Sequence, residues 1–218
     1  MKFLNNWLSN YINEVLGDLV LLTKHKITNQ YLRGLVFQLY ENNGVLKREQ
    51  VSEYLKDLGQ TERKVLRDLG VKFGRYHVFL YKLIKPEAVS LRTLLWKNYH
   101  QKYYDLKPPA FGLNFLDDKN FQNKNFMLLC GFEKFSTFFV RIDILERLFI
   151  KIMNSRNDAE KKDEIKMVPD MINLLGCSKE NFKKLLKLMN YKVTARNDEV
   201  YFKSVSYTHL TLPTKRIV

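Results

Sequence analysis

Four histidines, two cysteines and a cluster of acids and arginines near residue 143 are the side chains whose types suit covalent or proton-transfer chemistry. His25, His77, His100 and His209 are scattered, each far from a cysteine or another histidine, so no zinc or iron spacing and no Ser-His or Cys-His nucleophile pair results. Arg141, Asp143, Glu146 and Arg147 lack a convergent histidine or third carboxylate, and i,i+4 pairing on a helix surface is the expectation for them. Cys130 and Cys177 lie in apolar company without a Cys-x-x-Cys spacing, which predicts reduced core thiols in a cytoplasmic setting. Catalysis by this chain alone is not expected.

Binding chemistry is better represented. Lysine and arginine outnumber aspartate and glutamate by 37 to 23, a formal charge of +14. Such a charge draws polyanions over about a Debye length, about 8–10 Å in physiological salt. An AT-rich genome also enriches lysine and asparagine, so charge alone does not identify the partner. The cations nevertheless fall in groups: Arg63, Lys64 and Arg67 on one short helix, Lys72, Arg75 and Lys82 along an aromatic ribbon, and Lys179, Lys183 and Lys187 at intervals of four on a later helix. Tyr76 and Tyr81, beside Arg75 and Lys82, are the aromatics placed to stack on bases, whereas Phe79 and Trp96 suit the core and His77 a strand face. Because lysine predominates, the contacts expected are to phosphates, with little reading of base edges.

The elements that must carry these groups follow from periodicity. Apolar residues at helical spacing predict a helix over 3–23, with a second capped by Thr28 and closed at Asn43-Gly44. Short helices at Lys47–Leu58 and Thr61–Leu69 precede a ribbon at 71–81, the element order of a winged-helix domain. Pro86 then opens a helix through Tyr99. Paired prolines and dense Asn/Asp predict a linker over 103–125, followed by strands at Phe126–Phe132 and Ser136–Ile142 around Glu133-Lys134. A helix capped by Asp143 follows, then a charged linker over Ser155–Lys166, a helix opened by Pro169, another at Lys179–Met189, and a hairpin turned at Asn197-Asp198. The expected fold is mainly α with short β-hairpins, an α+β chain with winged-helix-like units in two subdomains, 1–102 and 126–203. Residues 204–218 resemble a translated sequencing adapter and are set apart from the fold.

Several blocks also resemble one family in a common order. Leu32-Arg-Gly-Leu-Val-Phe-Gln-Leu39, Gly44-Val-Leu, Leu58-Gly-Gln, Gly70-Val-Lys-Phe-Gly, Leu83-Ile-Lys-Pro, Leu91-Arg-Thr-Leu-Leu-Trp96, Val140-Arg-Ile-Asp-Ile-Leu-Glu-Arg-Leu148 and Leu174-Leu-Gly-Cys-Ser178 are similar to the C-terminal region of alphaproteobacterial superfamily-two helicases related to the mitochondrial RNA-degradosome helicase. The chain has no Gly-x-x-x-x-Gly-Lys-Ser/Thr and no Asp-Glu-x-His or Asp-Glu-Ala-Asp box, so the family's ATP and magnesium have no residues here to hold them. The resemblance implies an accessory region that grips single-stranded RNA or DNA for motor domains joined in cis, cytoplasmic and monomeric. A free-standing winged-helix regulator on duplex DNA and a protein-docking scaffold, using the unpartnered flank of the first helix, are the alternatives. No run of eighteen apolar residues predicts a membrane partner.

Overall fold

An unbroken apolar stripe over 3–23 asks for one helix, but the chain bends at Leu16-Gly17 and makes two, α1 (Lys2–Val15) and α2 (Gly17–Lys24). The computed structural model describes residues 2–24, 29–117, 123–157, 164–196 and 199–205. Helix α3 (Gln30–Glu41) is capped by Asn29, whose Oδ1 accepts from the Tyr31 and Leu32 N–H groups at 2.9 and 3.2 Å; Thr28 lies outside the described residues. At its other end Asn43 and Gly44 both take positive φ, and their N–H groups return to the Tyr40 and Leu39 carbonyls. This double return satisfies helix-end acceptors that would otherwise be orphaned. Gly44 is required twice over, since a Cβ there would also meet Leu83 Cδ1 at 2.4 Å.

Immediately past this turn the chain enters a strand that periodicity does not predict. β1 (Val45–Lys47) precedes a 3-10 turn at Arg48–Val51, α4 (Ser52–Lys56), α5 (Gln60–Asp68), β2 (Val71–Phe73) and β3 (His77–Leu80). The antiparallel sheet has the order β1-β3-β2, with Lys47 opposite His77 and Phe73 opposite Val78. All of β3 is buried, so the alternation that suggests a half-exposed ribbon belongs to a covered central strand, and Tyr81 falls in the 3-10 turn Tyr81–Ile84 beyond it. Leu22, Leu35, Leu39, Leu66, Val78 and Leu80 form the centre of the core beneath this sheet.

Pro86 opens α6 (Pro86–Tyr99) as predicted. A 3-10 turn at Gln101–Tyr103 leads into the expected linker, which contains strand β4 (Phe115–Asp117). The predicted strand at Phe126–Phe132 is mostly helix instead: Asn123 accepts from the Phe126 N–H and starts α7 (Lys124–Leu129), and only then does β5 (Phe132–Phe135) begin. Its hairpin partner is β6 (Phe138–Arg141), and Ser136, at positive φ, makes the turn, with Glu133 and Lys134 inside the strand. Strand order is β4-β6-β5. The next helix, α8 (Ile142–Asn157), starts before Asp143, which pairs with Arg141 at 2.7 and 3.0 Å and caps nothing.

Beyond α8 come β7 (Ile165–Lys166), α9 (Pro169–Leu175), α10 (Lys179–Leu188), β8 (Tyr191–Arg196) and β9 (Glu199–Ser204), in the sheet order β7-β9-β8. Ser204 thus belongs to the hairpin, paired opposite Tyr191, while Asn197-Asp198 and residues 206–218 lie outside the described residues. The chain divides into two compact units, one running to Ile150 and including Leu174–Gly176, the other taking Lys151–Asn173 and continuing from Cys177. Ile165, Phe182, Leu185, Leu186 and Phe202 are buried within the second. The result is a mixed α+β chain, mainly helical, whose described sheets are small, antiparallel and three-stranded.

Candidate nucleic-acid interface

In the second unit the predicted cations stay together. Ser178 caps α10 by accepting from the Asn181 N–H, and the helix buries Phe182, Leu185 and Leu186. Burying that stripe leaves Lys179, Lys183, Lys184 and Lys187 on the remaining surface. Among the described residues none of these four lysine side chains has a hydrogen bond or ion pair. The following hairpin adds a second group. Val193, Phe202, Ala195 and Val200 alternate on one face, so Lys192 and Lys203 sit directly opposite each other on the other face, alongside the Thr194–Tyr201 and Arg196–Glu199 pairs. Like charges in direct cross-strand register are unfavourable. The neighbouring cations are offset by acids: Lys166 pairs with Glu199 and Arg196 with Glu164. Lys192 and Lys203 are not.

In the first unit several predicted contacts are engaged within the protein. Arg63 donates from Nε to the Leu58 carbonyl at 3.1 Å and from Nη2 to the Leu55 carbonyl at 2.7 Å, holding the end of α4 onto α5. Lys82 is paired with Asp18 at 2.8 Å. Arg75 lies over the Phe149 ring at 5.9 Å, and Tyr76 meets the same ring edge-on at 6.0 Å. Lys64 and Arg67 on α5, Lys72 on β2 and Tyr81 remain accessible to solvent.

A buried ionic cluster in this unit has no counterpart in the sequence-based expectations. His77, 1% exposed, places Nε2 3.1 Å from Glu133 Oε2, and Lys47 Nζ reaches the other Glu133 oxygen at 2.5 Å. Glu146, expected on a helix surface, is buried and faces the β2–β3 turn. Its carboxylate accepts from three successive backbone N–H groups, those of Arg75, Tyr76 and His77, at 2.5, 2.9 and 2.9 Å. A Cβ on Gly74 would lie 2.2 Å from the Glu146 carboxyl carbon, so the close approach needs glycine. Burial works against charge on His77, but the hydrogen bond to Glu133 and the carboxylates of Glu133 and Glu146 close to the ring outweigh it and raise its pKa above the ordinary value. Burial likewise opposes charge on Glu133, and the His77 and Lys47 hydrogen bonds prevail to lower its pKa. The signal available in sequence was the position of the acids: Glu133 follows Phe132, and Glu146 lies among Ile142, Leu145 and Leu148.

Arg92, 3% exposed, is a second internal cation. Its guanidinium donates to the carbonyls of Asn43, Leu83 and Leu129, joining the α3 terminus, the turn after β3 and the end of α7, and burial brings its pKa down to about 10. Cys130 is buried and Cys177 half-buried, and desolvation pushes their thiols up to about 12 and about 11, which disfavours the thiolate. Among the described residues no three His, Cys, Asp or Glu side chains converge as metal ligands, and no helix is long and apolar enough to cross a membrane. Comparison of the chain with protein-family models, curated proteins and solved structures gave no match.

Proposed function

We propose that this chain is a nucleic-acid-binding module that grips single-stranded RNA or DNA through phosphates, with α10 and the β8–β9 hairpin as its principal surface. One observation carries the reading: the side chains of four lysines of α10 and of the cross-strand pair Lys192–Lys203 have no anionic partner among the described residues. A phosphate backbone supplies the missing charge. Support also comes from element order. Helix, strand, two helices and two strands, with the first strand beside the last, is an order compatible with a winged helix, and α3–β3 follow it. The family resemblance gives such a module its context, an accessory region of an ATP-dependent helicase in which the motor lies outside this chain.

Charge reversal at Lys179, Lys183 and Lys187 together should weaken binding of a fluorescein-labelled oligouridylate and flatten the dependence of log affinity on log salt by about 2, at about 0.7 for each phosphate no longer neutralised. Fluorescence anisotropy at several salt concentrations reads both. Equal affinity and equal slope in the variant would remove α10 from the interface. The docking-scaffold reading has its own observation in the first unit: Phe3, Leu4, Trp7 and Leu8 are exposed along one side of α1, which buries none of its residues.

A further inference from the structure

A second surface, in the first unit, sets strongly exposed rings among its lysines. At the end of α6, Tyr99 is 84% exposed and, past the 3-10 turn, Tyr104 is 69% exposed. They are not loose. Trp96 is half-buried and stacks on Tyr103 at 5.2 Å with planes 16° apart, and it also packs on the buried Phe126 at 5.6 Å. Tyr99 meets His100 edge-on at 4.9 Å, and His100 lies 4.6 Å from Trp96, so the exposed ring belongs to a chain of contacts anchored in the core. Lys102 Nζ sits 4.7 Å over Tyr103 and Lys97 Nζ 5.7 Å over Tyr104, which holds ammonium groups beside the rings. Over 96–107 the only acid is Asp105, against Lys97, Lys102 and Lys107.

We infer that the end of α6 and the turn after it form a stacking platform for unpaired bases, Tyr99 and Tyr104 taking the bases and Lys97 and Lys102 the adjoining phosphates. Exposed aromatic rings with cations beside them suit a single strand, because every base offers a face and every linkage a charge. Proline-rich peptides also favour aromatic surfaces, but they bring nothing for the cations to meet. This inference rests on the nucleic-acid reading above, and it adds a base-dependent contact that the α10 surface does not provide.

The test uses the full chain and two labelled strands of about 12 nucleotides, an oligouridylate and an abasic phosphodiester of the same length. The double variant Y99A/Y104A should lose about tenfold or more in affinity for the oligouridylate, little for the abasic strand, and nothing in salt slope, while Y99F/Y104F keeps wild-type affinity because the rings remain. If wild type and Y99A/Y104A bind the oligouridylate equally, the platform is refuted and the α10 surface stands. If wild type binds neither strand, the nucleic-acid reading falls and the platform with it. Quenching of Trp96 fluorescence in a W7F background by a proline-rich peptide, without quenching by oligouridylate, would reassign the surface to peptide and also overturn the inference.

Discussion

His77 is a strand residue buried beside two carboxylates, and its pH behaviour follows from the direction of its shift. A folded-state pKa raised above the ordinary 6.5 means its contribution is complete below pH 6.5 and is lost as pH rises through the folded value. Glu133 has the opposite sense: its depressed pKa makes its contribution complete above about pH 4.5 and lost on acidification. The pair therefore favours the first unit most between those limits. Thermal melts across pH should show a shallow alkaline decline that His77→Gln abolishes. Glu146→Gln should cost about 3 kcal/mol or more by urea titration, because three backbone N–H groups lose their carboxylate acceptor. The apolar neighbours of the two acids hint at burial, but their meeting with His77 is not legible in the sequence, since strands and helices far along the chain bring them there.

Elements whose signals are local are legible in the sequence. Pro86 fixes the start of α6, and Asn43-Gly44 fixes the end of α3. β1, β4 and β7 escape such a reading because each spans only two or three residues, too short for an alternation to show, and each pairs with a strand distant in sequence. At Phe126–Phe132 an apolar run too short to show its period suggests a strand, and the cap at Asn123 decides otherwise. The capping geometry makes a quantitative expectation possible. Asn29→Ala should destabilise by about 1 kcal/mol in a denaturant titration. Gly44→Ala should cost more, since it combines a left-handed backbone with a steric conflict at Leu83.

At the scale of the whole molecule, a formal charge of +14 is visible in the sequence at once, but the share of cations free to meet a ligand is not. Folding uses Arg63 and Arg92 to bind carbonyls, Lys47 to neutralise Glu133, and Lys82 to pair with Asp18. What is left on α10 and the last hairpin has a consequence for stability as well as for binding. With Lys192 and Lys203 abreast across the ladder, a dilute buffer leaves two ammoniums repelling each other, and dissolved ions shield them. Amide exchange at Thr194 and Tyr201, the next hydrogen-bonded pair of the ladder, should accordingly slow as electrolyte is added, and Lys203→Glu should reverse that trend. The hairpin would then be firmest in the same ionic conditions that loosen its hold on a polyanion.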